Sequence, residues 1–155
     1  MRLLASLGLL LAAALSGCTG LSPYSSVTKL DLQLSASDDL NPDLRGRPSP
    51  IVVRLLELKN PSSFNNAEFF SLYQRPRESL MPDLASFEEL EVRPGEQRKL
   101  KLSLQPGSRH VGVIAAYRDL PQASWRYVLT LREGEINRAG VMLGQRGLEP
   151  LAAED

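Results

Sequence analysis

The sequence predicts an all-β sandwich of seven or eight strands carrying one short helical insertion. Three observations carry this prediction. Apolar and polar residues alternate with period two through most of the chain from residue 27 onward. Tight-turn pairs, Pro94-Gly95 and Pro106-Gly107, punctuate that alternation at strand spacing. Helical periodicity is confined to one stretch, so no pair of helices is available to build parallel βαβ units.

The first segment is read as an address. Arg2 is the only charge before Lys29, and Leu3 to Leu15 is apolar except for Ser6 and Gly8. Thirteen such residues fall short of the ~20 needed to span a bilayer, but they suit a signal-peptide core. Leu15-Ser16-Gly17-Cys18 follows, with small residues able to lie extended in a peptidase cleft and a cysteine directly after them. Residues 1–17 are therefore expected to be a leader. Residues 18–26, small and polar with one proline, are expected to form a tether.

Leu30, Leu32 and Leu34 alternate with Lys29, Asp31 and Gln33, the pattern of a half-buried strand. Residues 36–50 read as a long loop rich in Ser, Asp, Asn and Pro, and Ile51 to Leu58 as a second, almost continuously apolar strand. The period then changes. Asn65 and Glu68 have capping-box spacing, with Phe64 as a staple, and Ala67, Phe69, Phe70 and Tyr73 form an apolar stripe, so a helix is expected until Pro76 stops it. A further short turn over 79–85 would complete an insertion at about 63–85. Phe87, Leu90 and Val92 mark the next strand, and Leu100, Leu102 and Leu104 another. Val111 to Tyr117 is apolar on both faces, as a central strand should be. Trp125, Tyr127, Leu129 and Leu131 share one face, and a weaker strand is expected over 135–143. Residues 144–155 read as a flexible tail, leaving a sandwich domain over 27–143.

Composition excludes several chemistries. The 155 residues hold 18 basic and 18 acidic side chains, so nothing suggests a nucleic-acid partner. One His and one Cys cannot assemble a Cys/His zinc site, and a single Cys forbids an internal disulfide. Ser26-Val27-Thr28-Lys29 has the spacing of serine acyltransferases but runs into a strand, where Ser and Lys diverge. His110 begins a strand beside Arg109 without a nucleophile near it in sequence. Asp38, Asp39 and Asp43 lack the spacing of a calcium loop and read as a solvated acidic segment. No catalytic site, metal, cofactor or small-molecule substrate is expected.

The loop over 36–50 is the conspicuous feature, since loops beyond ~12–15 residues tend to be functional. It contains Leu40 and Leu44 as apolar anchors, Asp43 between them, and Arg45 and Arg47 as bidentate donors. Two readings are open from physics alone: the leucines anchor a partner, or they fold back on the edge of the sandwich.

Several segments, in order, resemble a known family: the lipobox at Cys18; Leu40-Asn41-Pro42-Asp43-Leu44-Arg45-Gly46-Arg47-Pro48-Ser49-Pro50 running into Ile51-Val52-Val53-Arg54-Leu55-Leu56-Glu57-Leu58; Phe64 to Tyr73; Pro94-Gly95-Glu96; and Val113-Ile114-Ala115-Ala116-Tyr117-Arg118-Asp119 with Trp125-Arg126. Together they are similar to the type VI secretion lipoproteins, the TssJ or SciN family, over residues 18 to about 143. The resemblance implies a transthyretin-like sandwich and a diacylglycerol thioether on Cys18 with a further acyl chain on its amino group. It also implies outer-membrane anchoring facing the periplasm, for which Thr19 rather than Asp after the cysteine is the sorting cue. The implied partner is the periplasmic carboxyl-terminal region of TssM, and through it TssL, with the loop at 36–50 as the contact: Leu40, Asp43, Leu44, Arg45 and Arg47. The alternative is a periplasmic lipoprotein that carries a small ligand inside its sandwich.

Overall fold

The computed structural model describes residues 26–151; the leader, Cys18, most of the tether and residues 152–155 lie outside the described residues. Eight strands form two four-stranded sheets. The strands are β1 (Lys29–Ala36), β2 (Ile51–Leu58), β3 (Leu84–Val92), β4 (Gln97–Ser103), β5 (His110–Ala115), β6 (Arg126–Thr130), β7 (Ile136–Leu143) and β8 (Leu148–Pro150). Sheet A runs in the order β4-β1-β7-β8 and sheet B in the order β3-β2-β5-β6. The all-β sandwich with a short helical insertion is thus the observed architecture.

Alternation accounts for both layers. Leu30, Leu32 and Leu34 of β1 are buried against Ile51, Val53 and Leu55 of β2 and Val111 and Val113 of β5, filling the space between the sheets. The continuous apolar run in β2 has its own cause: Leu56 and Leu58, on the opposite face, are buried under the helical insertion with Phe64, Leu72, Leu80 and Ile114. Sheet B is therefore covered on both faces.

The insertion differs from expectation in detail. It consists of three short helices, α1 (Ser62–Asn66), α2 (Phe69–Gln74) and α3 (Pro76–Leu80). Asn65 lies inside α1 and caps nothing, while Glu68 takes the extended cap position of α2 without a side-chain cap bond. Pro76 starts α3 at its first turn, where a missing N–H is harmless, and β3 already begins at Leu84. The buried face of α2 is Phe69 and Leu72, whereas Phe70 is exposed. Tertiary contacts hold these short helices in place. The Arg126 guanidinium donates to the carbonyls of Phe64, Asn65 and Ala67 at 2.7–2.9 Å. A Cβ built on Gly112 of β5 would lie 2.7 Å from the Phe64 ring, so only glycine there lets that ring seat.

Two features of sheet A were not expected. β1 pairs with β7 in parallel, Lys29 opposite Ile136 through Ala36 opposite Leu143, without a helical crossover between them. The assignment of 144–155 to a flexible tail is corrected as far as residue 151. Leu148–Pro150 forms β8 on β7, Leu148 is buried, and Gly147 bridges to Ser124. Three residues are too few to show a period, and their partner strand defines them.

Strand directions give the molecule two ends. β1 leaves Ser26–Thr28 at one end, where the Thr28 carbonyl accepts from Leu104 N–H and the Thr28 hydroxyl from Gly134 N–H. Eight residues later, ~26 Å away, β1 delivers the chain to residues 37–50. The β3–β4 turn and the β5–β6 and β7–β8 loops lie at that same far end, as the registers require.

Candidate functional site

The 37–50 loop is long, yet its own hydrogen bonds order it. Leu40 N–H donates to Ser37 O at 3.2 Å, and its carbonyl accepts from Ser49 N–H at 3.0 Å, which closes the base of the loop. Asn41 then takes a positive φ of 46°, a left-handed conformation that asparagine tolerates better than most residues. Its buried amide is used twice: Nδ2 donates to Pro50 O at 3.1 Å, and Oδ1 accepts from Arg118 N–H at 2.9 Å. Ser49 Oγ donates to Asn41 O at 2.5 Å and accepts from Arg118 Nε at 3.0 Å. Arg118 thus joins the β5–β6 loop to the base of the 37–50 loop.

Above the base, Asp43 folds the tip. Its carboxylate accepts from the backbone N–H groups of Arg45 and Arg47, at 2.8 and 3.0 Å, and from Arg47 Nε at 2.8 Å. Gly46, at φ 77°, supplies the left-handed residue that brings its N–H to Asp43 O. The arrangement leaves Leu44 and Arg45 at the apex.

The structure separates the two leucines. Leu40 is 0% exposed, packed in the inter-sheet core, so its assignment as a partner contact is corrected: it anchors the loop to the sandwich. Leu44 is 107% exposed, a large apolar side chain held out by a closed turn. Asp43 faces inward as a brace. Arg47 is occupied by Asp43 at 2.7 Å, although its side chain stays largely exposed. Beside the tip a cleft of about 500 Å³ is lined by Pro42, Leu44, Tyr117, Arg118, Ala123 and Arg146 among others, drawing in all three loops of that end. Tyr117 donates its hydroxyl to Gly144 O at 3.0 Å. Burial first, and the Glu149 charge second, hold that phenol well above the usual tyrosine range, so it stays a neutral donor.

Asn41, Ser49, Arg118 and Arg146 are the residues missed in the sequence. Asn-Pro at 41–42 is the one local signal, marking a turn. Nothing local predicts that Arg118, 69 residues beyond Ser49, completes it.

The guanidinium of Arg47 and the two loop N–H groups lower the Asp43 pKa to about 2. The sign follows: a depressed carboxyl stabilises the folded tip fully above its ordinary value near 3.8, and that contribution is lost as pH falls through about 2. Amide exchange at Arg45 and Arg47, corrected for intrinsic rate, is expected to be flat from pH 7 to 5 and to quicken severalfold toward pH 2. Asp43→Ala should show the fast exchange at every pH, and unchanged protection in that variant would rule out the brace.

Other candidates are quiet. His110 sits at the rim 3.3 Å from Thr130 Oγ1, its pKa lowered by partial burial and then by Arg109. Among the described residues no group of three or more His, Cys, Asp or Glu could hold a metal ion, and no helix is long and apolar enough to cross a membrane.

Comparison with known proteins gives a consistent picture. A family model described as type VI secretion lipoprotein (VasD, EvfM, TssJ) matches residues 28–146. The crystal structure of the type VI secretion lipoprotein TssJ1 from Pseudomonas aeruginosa is 33% identical, covering 83% of this chain and 98% of that chain with a TM-score of 0.79. Serratia marcescens Lip, a membrane-bound component of the type VI secretion system, is 28% identical over 83% of this chain and 99% of its own, at a TM-score of 0.77. A chain in a structure described as the type VI membrane complex is 25% identical, covers 80% of this chain and 98% of its own, and reaches a TM-score of 0.70. No match was found among curated proteins.

Proposed function

The chain belongs to the type VI secretion lipoprotein family, and on that premise we propose that it is an outer-membrane anchor of the secretion apparatus, facing the periplasm. Lipid on Cys18 holds one end, and the tip of the 37–50 loop binds the periplasmic carboxyl-terminal region of TssM at the other. TssL is joined through TssM. The role is non-catalytic and uses no cofactor beyond the lipid.

The observation that carries this reading is the division of the loop: Leu40 is buried at its base while Leu44 stands fully exposed at a braced apex. An exposed leucine on a mobile loop would lose entropy on binding, whereas a closed turn has already lost it. Two-ended geometry adds support. Residue 26 enters at the end opposite the loop, and eight residues back to Cys18 span at most ~25–30 Å, so the tip points away from the lipid. Likeness to a chain of the type VI membrane complex supports assembly into such a complex. The ligand-carrier alternative needs a polar-lined chamber between the sheets, where this protein packs leucine, isoleucine and valine.

Two experiments test the two ends. Leu44→Asp with Arg45→Asp should leave the fold intact and weaken capture of the TssM periplasmic region by at least ~100-fold, as loss of a hot spot does; undiminished binding would refute the tip. Cys18→Ser should release the mature chain from the membrane fraction with its fold unchanged. Retention there, with the leader removed, would refute lipid anchoring.

A further inference from the structure

The two sheets differ on their outer faces. α1–α3 cover sheet B, but among the described residues no helix covers the outer face of sheet A, where Lys29, Lys99, Lys101, Ile136 and Arg138 are exposed. Alternation places Lys29, Asp31 and Gln33 of β1 on that face, since Leu30, Leu32 and Leu34 fill the core. Register then sets their neighbours. Asp31 lies between Lys101 and Arg138, Gln33 beside Lys99, and Lys29 beside Ile136. Strands ~4.8 Å apart and rows ~6.6 Å apart put four cations around one acid. All four are exposed, and none makes an ion pair within 4.0 Å among the described residues.

The placement is graded along the strands. Three of the cations, Lys29, Lys101 and Arg138, occupy the half of the face nearest Ser26, where the chain leads back to Cys18, and Lys99 lies one row beyond them beside Gln33. The half near the 37–50 loop has Ser35, Gln97, Met142 and the acid Glu149 on the same face. Protection of an exposed edge explains lysines on β4, which lies at the border of the sheet. It does not explain Lys29 and Arg138, which sit on the two central strands. Net charge is no explanation either, because loss of Arg2 with the leader leaves the mature chain one acidic charge in excess.

We infer that the anchor-side half of the outer face of sheet A is a contact surface for anionic phospholipid headgroups, with Lys29, Lys101 and Arg138 facing the lipid phosphates, Lys99 at its border and exposed Ile136 beside them. The inference rests on the anchoring reading for its biological setting, since the tether keeps this face within reach of the bilayer. Four cations give a weak, salt-sensitive contact, which suits orienting a tethered domain better than recruiting a free one. Contact through this half tilts the domain and keeps the 37–50 tip on the side away from the lipid.

The test uses the mature-length chain with Cys18→Ser, which no lipid can modify, so its result is independent of whether Cys18 is an anchor. Co-sedimentation is measured at low salt with phosphatidylcholine vesicles, with and without about 30 mol % phosphatidylglycerol. Expected is binding only to the anionic vesicles, lost on raising salt to physiological strength. Lys29→Gln, Lys101→Gln and Arg138→Gln together should weaken it by roughly fivefold per cation, and Asp31→Asn should strengthen it. Arg75→Gln, Arg77→Gln and Arg93→Gln change net charge equally but lie off this face, and should retain binding. No phosphatidylglycerol-dependent sedimentation, or equal loss in both triple variants, overturns the assignment. Release of the Cys18→Ser variant from the cell membrane is a separate result, so either reading can fail alone.

Discussion

Leu40→Ala is expected to cost ~2–5 kcal/mol of folding stability, while Leu44→Ala, four residues away in the same loop, should stay within ~0.5 kcal/mol of the parent. The contrast follows from burial. Leu40 is packed in the core formed by both sheets, and its backbone N–H and carbonyl are both held, so truncation leaves a cavity that the loop cannot easily collapse into. Leu44 has solvent on every side. Urea unfolding of the two variants measures the difference, and a Leu40→Ala midpoint equal to the parent's would refute the loop's role as part of the core. The same burial bears on binding experiments. Deleting residues 38–47 removes Leu40 together with the tip, so loss of TssM capture in such a deletion confounds a missing contact with a damaged core. Substitution at the apex separates them.

Phe64→Ala should be the most damaging single truncation in the helical layer, at ~3–5 kcal/mol. Phe64 is fully buried between sheet B and the insertion, its ring seated over Gly112. The short helices have little intrinsic stability, because helices of five or six residues are far below the length that persists alone. They depend on this ring, on Arg126 gathering three carbonyls, and on Arg54, which lies 4.1 Å over the Tyr73 ring and donates to the Tyr73 carbonyl. Limited trypsin digestion should therefore cut the variant after Arg77 well before the strands are attacked. Uniform digestion across the chain would show that the layer and the sandwich unfold as one, and the two-core description would then fail.

Legibility in the sequence followed the reach of each interaction. Period-two alternation showed β1 and β4 because one face of each meets the core and the other meets water. The apolar run of β2 and β5 was legible as central strand. Asn65 and Glu68 have a capping-box spacing that the fold does not use: Asn65 lies inside α1, and Arg126 satisfies the carbonyls where that helix ends. Leu40 and Leu44 are the same residue in the same loop. Which one is buried depends on the left-handed turn at Asn41 and on Asp43 closing over Arg47, contacts partly supplied by the distant Arg118. β8 is defined by its partner, and no local pattern announces a three-residue edge. The anchoring expected at Cys18 rests on a short motif alone, in a segment outside the described residues.

The parallel pairing of β1 with β7 has a consequence for timing. Synthesis delivers the chain from its amino end, so β1 is among the first segments available, yet its neighbour spans residues 136–143. Until those residues arrive, β1 has only β4 beside it, and Leu30, Leu32 and Leu34 have half a sheet to shelter them. Pairings of such long sequence separation form late and slowly. The half-built sheet is then open along the edge that β7 will fill, the kind of unpaired edge that recruits wrong partners. A chaperone that masks the β7-facing edge of β1 should therefore matter most in the interval before residues 136–143 are made, and little once β7 has docked.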